Sequence, residues 1–190
     1  MELFRNLRLK IGKSLLTNKV ARLKRKVYYS NIEQVKNIGI VWDASKTSDF
    51  AALSRFYQKM HERTIDVKIL GFFTGKELPD QYTAIRFLTC IRKPEINFFY
   101  QPVSAETTTF INTRFDVIID INFNNLFPLQ YITSLSVSGF KVGLYESESV
   151  TSMFDLMIEL KKPVDADNFL GQVVHYLEMI KSGTDKPVLK

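Results

Sequence analysis

The sequence predicts an α/β protein, a three-layer Rossmann-like parallel sheet preceded by a basic N-terminal helix. Three observations carry this. Strand-like and helix-like segments alternate from Ile38 onward. The run Asp116 to Ile121, DVIIDI, is apolar on both faces, as the interior of a parallel sheet requires. Charge is segregated as well: residues 1–26 hold nine of the 26 Lys and Arg against a single acid, Glu2, while the rest of the chain is mildly acidic.

In chain order, Phe4, Leu7, Ile11 and Leu15 recur at helical spacing among cations, so residues 2–26 read as a basic, partly amphipathic helix. The apolar stripe is narrow, and Val20, Leu23 and Val27 shift to another side. Residues 28–36 read as a connector. Ile38 to Trp42 is a strand ending at Asp43, and Ser48 or Asp49 is positioned to cap the helix that carries Phe50, Leu53, Phe56, Tyr57 and Met60. Val67 to Phe73 is the second strand, closed by Thr74-Gly75. From Tyr82 to Tyr100 apolar residues fall at both periods around Pro94, and short strands are assigned. Ala105 to Thr113 reads as a helix despite three consecutive threonines. After DVIIDI, Pro128 suits a helix's first turn, Leu129, Ile132 and Leu135 supply its buried face, and Gly139 ends it. Phe140 to Tyr145 and Phe154 to Leu160 are strands. Asp165 opens a last helix with Phe169, Val173, Tyr176, Leu177 and Ile180, stopping at Gly183. The domain reading is a basic arm and connector over 1–36, a Rossmann-like body over 37–182 and a tail over 183–190.

Composition narrows the class. With 45% hydrophobic and 13% aromatic residues in 190, the chain can bury a substantial core as one domain plus an appendage. One cysteine, Cys90, excludes an intramolecular disulfide and suits a reducing compartment, where it reads as a buried structural thiol. Cations interrupt the N-terminal segment too often for a secretory signal, and no apolar stretch reaches membrane-spanning length, so the expected location is cytoplasmic.

The motifs are weak as chemistry. Gly12-Lys13-Ser14 copies the tail of a phosphate-binding loop, but the earlier glycine that loop needs is replaced by Leu7. The first strand-to-helix turn, WDASKTSD, lacks the glycines that let a pyrophosphate approach, so no nicotinamide or flavin dinucleotide and no other cofactor is expected. His61 and His175 lie apart, each without a nearby Cys or His, and no metal site is expected. Glu146 and Glu148 follow a strand but receive no role. The best crevice is at the C-terminal ends of the predicted strands, where Asp43, Ser45, Lys46, Thr47, Asp120 and Asn122 gather; the same residue types also serve plain turn and cap geometry.

The segment 115–147, FDVIIDINFNNLFPLQYITSLSVSGFKVGLYES, resembles the best-marked stretch of an uncharacterised protein family found in Bacteroidota, as does a basic helix before an IGIVWDAS-like strand. That resemblance implies no known activity. The same segment is more weakly similar to the N-terminal lobe of heptosyltransferase-type glycosyltransferases, through its FD-apolar-apolar-D strand and Phe140-Lys141-Val142-Gly143. This likeness implies one Rossmann-like lobe of a two-lobed enzyme, without the family's glycine-containing loop.

The leading expectation is a non-enzymatic binding module whose arm contacts phosphates of RNA or the ribosome through Arg5, Arg8, Lys10, Lys13, Lys19, Arg22, Lys24, Arg25 and Lys26. The alternatives are a nucleotide-sugar-binding or glycosyltransferase-like protein using the crevice, and a peripheral protein whose basic helix lies on an anionic membrane. Nothing in the sequence specifies an oligomeric state.

Overall fold

The computed structural model describes residues 2–145 and 153–181, so Glu146, Glu148, Gly183 and the tail lie outside the described residues. Six parallel strands form one sheet: β1 (Asn37–Asp43), β2 (Asp66–Phe73), β3 (Leu88–Arg92), β4 (Val117–Ile121), β5 (Phe140–Leu144) and β6 (Leu156–Ile158), in the order β3-β2-β1-β4-β5-β6. Strand order reverses between β1 and β4, which is the Rossmann arrangement, with a crevice at the C-terminal ends of those strands.

Side-chain alternation divides the core. Ile38, Ile40 and Trp42 of β1 and Val117, Ile119 and Ile121 of β4 face α2 (Phe50–Glu62) and α6 (Ala166–Met179), which bring in Leu53, Phe56, Met60, Phe169 and Val173. Val41, Leu70 and Ile118 point the other way, to Phe110 of α4 (Ala105–Asn112) and to Leu129 and Ile132 of α5 (Phe127–Leu135). The apolar strands are therefore buried on both faces, which is why they read as continuous hydrophobic runs.

Several elements differ from the sequence reading. The 82–100 region is mostly turns: a short α3 (Asp80–Thr83), the single strand β3, a 3₁₀ turn at Lys93–Glu95, and a loop closed by a bridge between Ile96 and Pro102. Neither Ser48 nor Asp49 caps α2 through its side chain, because a 3₁₀ turn at Thr47–Asp49 precedes it and Ser48 bonds to Asp49 instead. The helix α5 stops at Leu135, and Gly139 allows the Tyr28 ring to lie against the backbone. Its inward face is partly polar: Thr133 and Ser134 are buried, meeting Asp120 through the Thr133 hydroxyl and Lys141 through the Ser134 carbonyl.

The N-terminal helix α1 (Glu2–Ala21) is shorter than the 2–26 pattern suggested. The amides of Arg22 and Leu23 turn back to Lys19 and Val20, and the chain then extends across the body. Arg25 clamps Asp155 with two bonds of 2.6 and 2.8 Å, Tyr28 N–H reaches the Gly139 carbonyl, and Tyr28 Oη donates to Asp116. Ile32 and Val35 are buried in the core, six and three residues before Ile38, where the apolar pattern begins.

Because the Arg25–Asp155 pair is largely buried and Asp155 also accepts the Lys141 N–H, Arg25→Gln leaves a carboxylate without its main partner. The expected loss is about 2 kcal/mol in chemical denaturation, with the sheet retained by circular dichroism. An unchanged midpoint would show that this clamp does not hold the connector down.

Candidate functional site

The crevice residues act mainly on backbone turns. Asp43 is almost fully buried; its carboxylate accepts the Ser45 amide at 3.1 Å and the Asn124 side-chain amide at 2.8 Å. Ser45 Oγ accepts the Thr74 N–H and lies 2.7 Å from Thr74 Oγ1, tying the turn after β1 to the end of β2. Asn122 bridges the turn into α5, accepting the Leu126 N–H and donating to the Leu126 carbonyl. Thr47 begins the 3₁₀ turn, and Lys46 pairs with Asp49 at 3.4 Å beside the Phe123 ring. These residues fix Thr74, Asn125 and Leu126 in place.

What those turns shape is a pocket of about 610 Å³ over the C-terminal edge of the sheet. Phe72 and Thr74 follow β2, Lys93, Ile96, Asn97 and Tyr100 follow β3, and Asn125 to Pro128 lead into α5. The roof is α1, whose Arg5, Arg8, Leu9 and Lys13 line the opposite side. Four cations thus converge, and among the described residues the lining contains no Asp, Glu, His or Cys.

Gly12 makes the roof possible. It is buried, and a Cβ there would collide with the Phe99 carbonyl and the Phe127 ring, so only glycine lets α1 approach this closely. Arg8 is held on the neighbouring turn: its Nε donates to the Phe98 carbonyl at 2.7 Å, and its guanidinium carbon sits 4.1 Å from the Phe98 ring centroid and 4.6 Å from that of Tyr100. Further along, Lys19 Nζ donates to Tyr131 Oη at 2.7 Å.

The nine cations named from the sequence therefore separate by role. Arg8, Lys19 and Arg25 contact the body, Arg5 and Lys13 line the pocket with Arg8, and Lys10, Arg22, Lys24 and Lys26 are exposed. Sequence reasoning missed Thr74, Lys93, Asn97, Tyr100 and Asn125, because the pocket forms only when distant segments meet. Tyr100 (φ 61°) and Asn125 (φ 53°) are left-handed, a conformation that asparagine tolerates and that is strained for a bulky aromatic residue. The Asn124-Asn125 pair was the one local signal for such a turn.

Asp120 sits behind this edge, facing α5. Burial pushes its carboxyl up to about 6, against the opposing effect of bonds from the Thr133 hydroxyl and the Asn122 N–H. Burial likewise raises Asp49 and carries the Cys90 thiol to about 12, so Cys90 stays protonated and inert. Among the described residues no group of three or more His, Cys, Asp or Glu is placed to hold a metal ion. No helix among them is long and apolar enough to cross a membrane.

The fold and this edge define an α/β domain of Rossmann type with a cation-lined pocket over the C-terminal side of its sheet, built from the segments after β2, β3 and β4. Residues 8–180 match the model of DUF6913, a family of unknown function, and the chain belongs to that family. No curated protein matches it.

A folded pKa raised above the unfolded 3.8 gives Asp120 a stabilising effect that is complete below that value and lost as pH rises through about 6. This group should remove about 3 kcal/mol of stability between roughly pH 4 and pH 8. Unfolding of Asp120→Asn across that range should be flatter by that amount, with the variant at least as stable as the parent at the alkaline end. Parallel curves for the two proteins would contradict the assignment.

Proposed function

We propose that this chain is a non-enzymatic binding module whose pocket takes a nucleotide unit, either a free nucleotide or one segment of an RNA chain. The observation that carries the reading is the convergence of Arg5, Arg8, Lys13 and Lys93, with no opposing carboxylate among the described residues, over the ligand-binding edge of a Rossmann sheet. Cations without a countercharge favour a phosphate, and the Arg8 guanidinium is already positioned, so its ordering cost on binding is small. Tyr100, Phe127 and Pro128 give the same pocket apolar and aromatic walls for a base. A volume of about 610 Å³ fits a ligand of that size. Binding rather than turnover is favoured because, among the described residues, the lining offers no carboxylate, imidazole or thiol for proton transfer.

The two sources of a nucleotide unit differ in what else they touch. A free nucleotide, including the nucleotide-sugar suggested by the glycosyltransferase likeness, occupies the pocket alone. An RNA strand continues past it onto exposed Lys10, Arg22, Lys24 and Lys26, and its affinity falls more steeply with salt.

Titration calorimetry of the full chain with ADP, GDP and UDP, and with a short oligouridylate, tests this. Saturable binding of at least one ligand is expected, weakened about tenfold in Arg5→Gln/Lys93→Gln, whose side chains are exposed and contribute little to the fold. A nucleotide that binds alone and displaces the oligouridylate identifies a small-ligand site, while oligouridylate binding that a nucleotide displaces only weakly identifies RNA. No binding of any of them, or a double variant that matches the parent, overturns the proposal.

A further inference from the structure

The helix α1 has a second apolar face that the body does not cover. Leu9, Gly12 and Leu16 turn inward, whereas Leu3, Phe4, Leu7, Ile11 and Leu15 form a stripe on the outside, with Leu3 81%, Phe4 73% and Leu7 55% exposed. Spacings of three and four place these five on one side of the helix. The drift at Val20, Leu23 and Val27 belongs to neither face, since Leu23 and Val27 lie beyond the helix and Val20 and Val27 are exposed. Phe98, from the 96–102 loop, is 64% exposed and packs against Arg8 of the same helix, adding an aromatic ring from a second element.

We infer that this stripe is a docking surface for an anionic lipid bilayer, with α1 lying in the plane of the interface. The charge around it selects that occupant. Lys10 borders the stripe, exposed Arg22, Lys24 and Lys26 follow the helix, and residues 1–26 carry nine cations to one acid. A second copy of this chain would set two such segments face to face, which electrostatics opposes. A nucleic acid would satisfy the cations but leave five apolar side chains in water. Shape points the same way, because the stripe is a convex ridge and a bilayer admits a ridge without needing a matching groove. An interfacial helix with Phe and Leu on one side and Lys and Arg around them gains from both apolar insertion and attraction to anionic headgroups. The stripe and the pocket use different faces of α1, so this inference does not depend on what the pocket binds; only the exposed Lys10, Arg22, Lys24 and Lys26 would be shared with an RNA strand.

Flotation of the full chain with vesicles of phosphatidylcholine, with and without phosphatidylglycerol, tests it. The protein should float with the anionic vesicles only. Leu7→Ser/Ile11→Ser, which changes two exposed side chains, should weaken that partition about tenfold while leaving thermal unfolding and nucleotide titration as in the parent. Absence of flotation with anionic vesicles overturns the inference, as does flotation of the double variant equal to the parent's, which would mean adsorption by charge alone. A dimer seen by light scattering that the double variant dissolves also overturns it, by assigning the stripe to a second copy.

Discussion

The close approach of α1 to α5 at Gly12 is the constraint on which the rest of the functional surface depends. With the helix resting on the Phe99 carbonyl and the Phe127 ring, Arg5, Arg8 and Lys13 become the roof of a pocket instead of charges on a free arm. The same placement turns Leu3, Leu7 and Ile11 outward. A glycine within a helix costs about 1 kcal/mol of propensity relative to alanine, and contacts at Arg8 and Lys19 on either side of Gly12 offset it.

Beneath the helix, the sheet edge is held by polar residues whose task is geometric. Asp43, Ser45 and Asn122 spend their hydrogen bonds on neighbouring turns, and this positions Thr74, Asn125 and Leu126 at the pocket wall. Farther back, Asp120 and Lys141 meet the polar side of α5 through Thr133 and Ser134. Burial and the nearby Arg25 lower the Lys141 ammonium to about 7, so this interface holds one acid and one base that both resist ionisation. The groups responsive to pH therefore lie where α5 meets the sheet, whereas the charged side chains that line the pocket are Arg and Lys.

The strands were legible because burial on both faces leaves a mark in composition: IGIVW and DVIIDI can hardly be anything else at that length. The Thr-rich α4 was legible too, since Ser104 caps it and Phe110 anchors it, outweighing weak propensity. The 82–100 region was not, as its shape comes from 3₁₀ turns and the Ile96–Pro102 bridge rather than from a period. At the site, Asp43, Asp120 and Asn122 were readable as strand-end residues, but their use in turns was not distinguishable from ligand contact. The pocket depends on contacts between residue 8 and residue 98 and between residue 19 and residue 131, and no local pattern encodes such pairings. Spacing likewise cannot tell which cations are committed to the fold, as Arg25 is through Asp155.

Amide hydrogen exchange along α1 in the full-length protein measures the central claim, that this helix is a docked part of the fold. A basic 20-residue helix free in solution would exchange its amides almost as fast as unfolded chain, because isolated helices of that length are marginal in water. Docking predicts protection through the Leu9 to Lys19 stretch that approaches the protection of α5. Exchange of those amides at the unfolded-chain rate, alongside a protected sheet, would contradict the account.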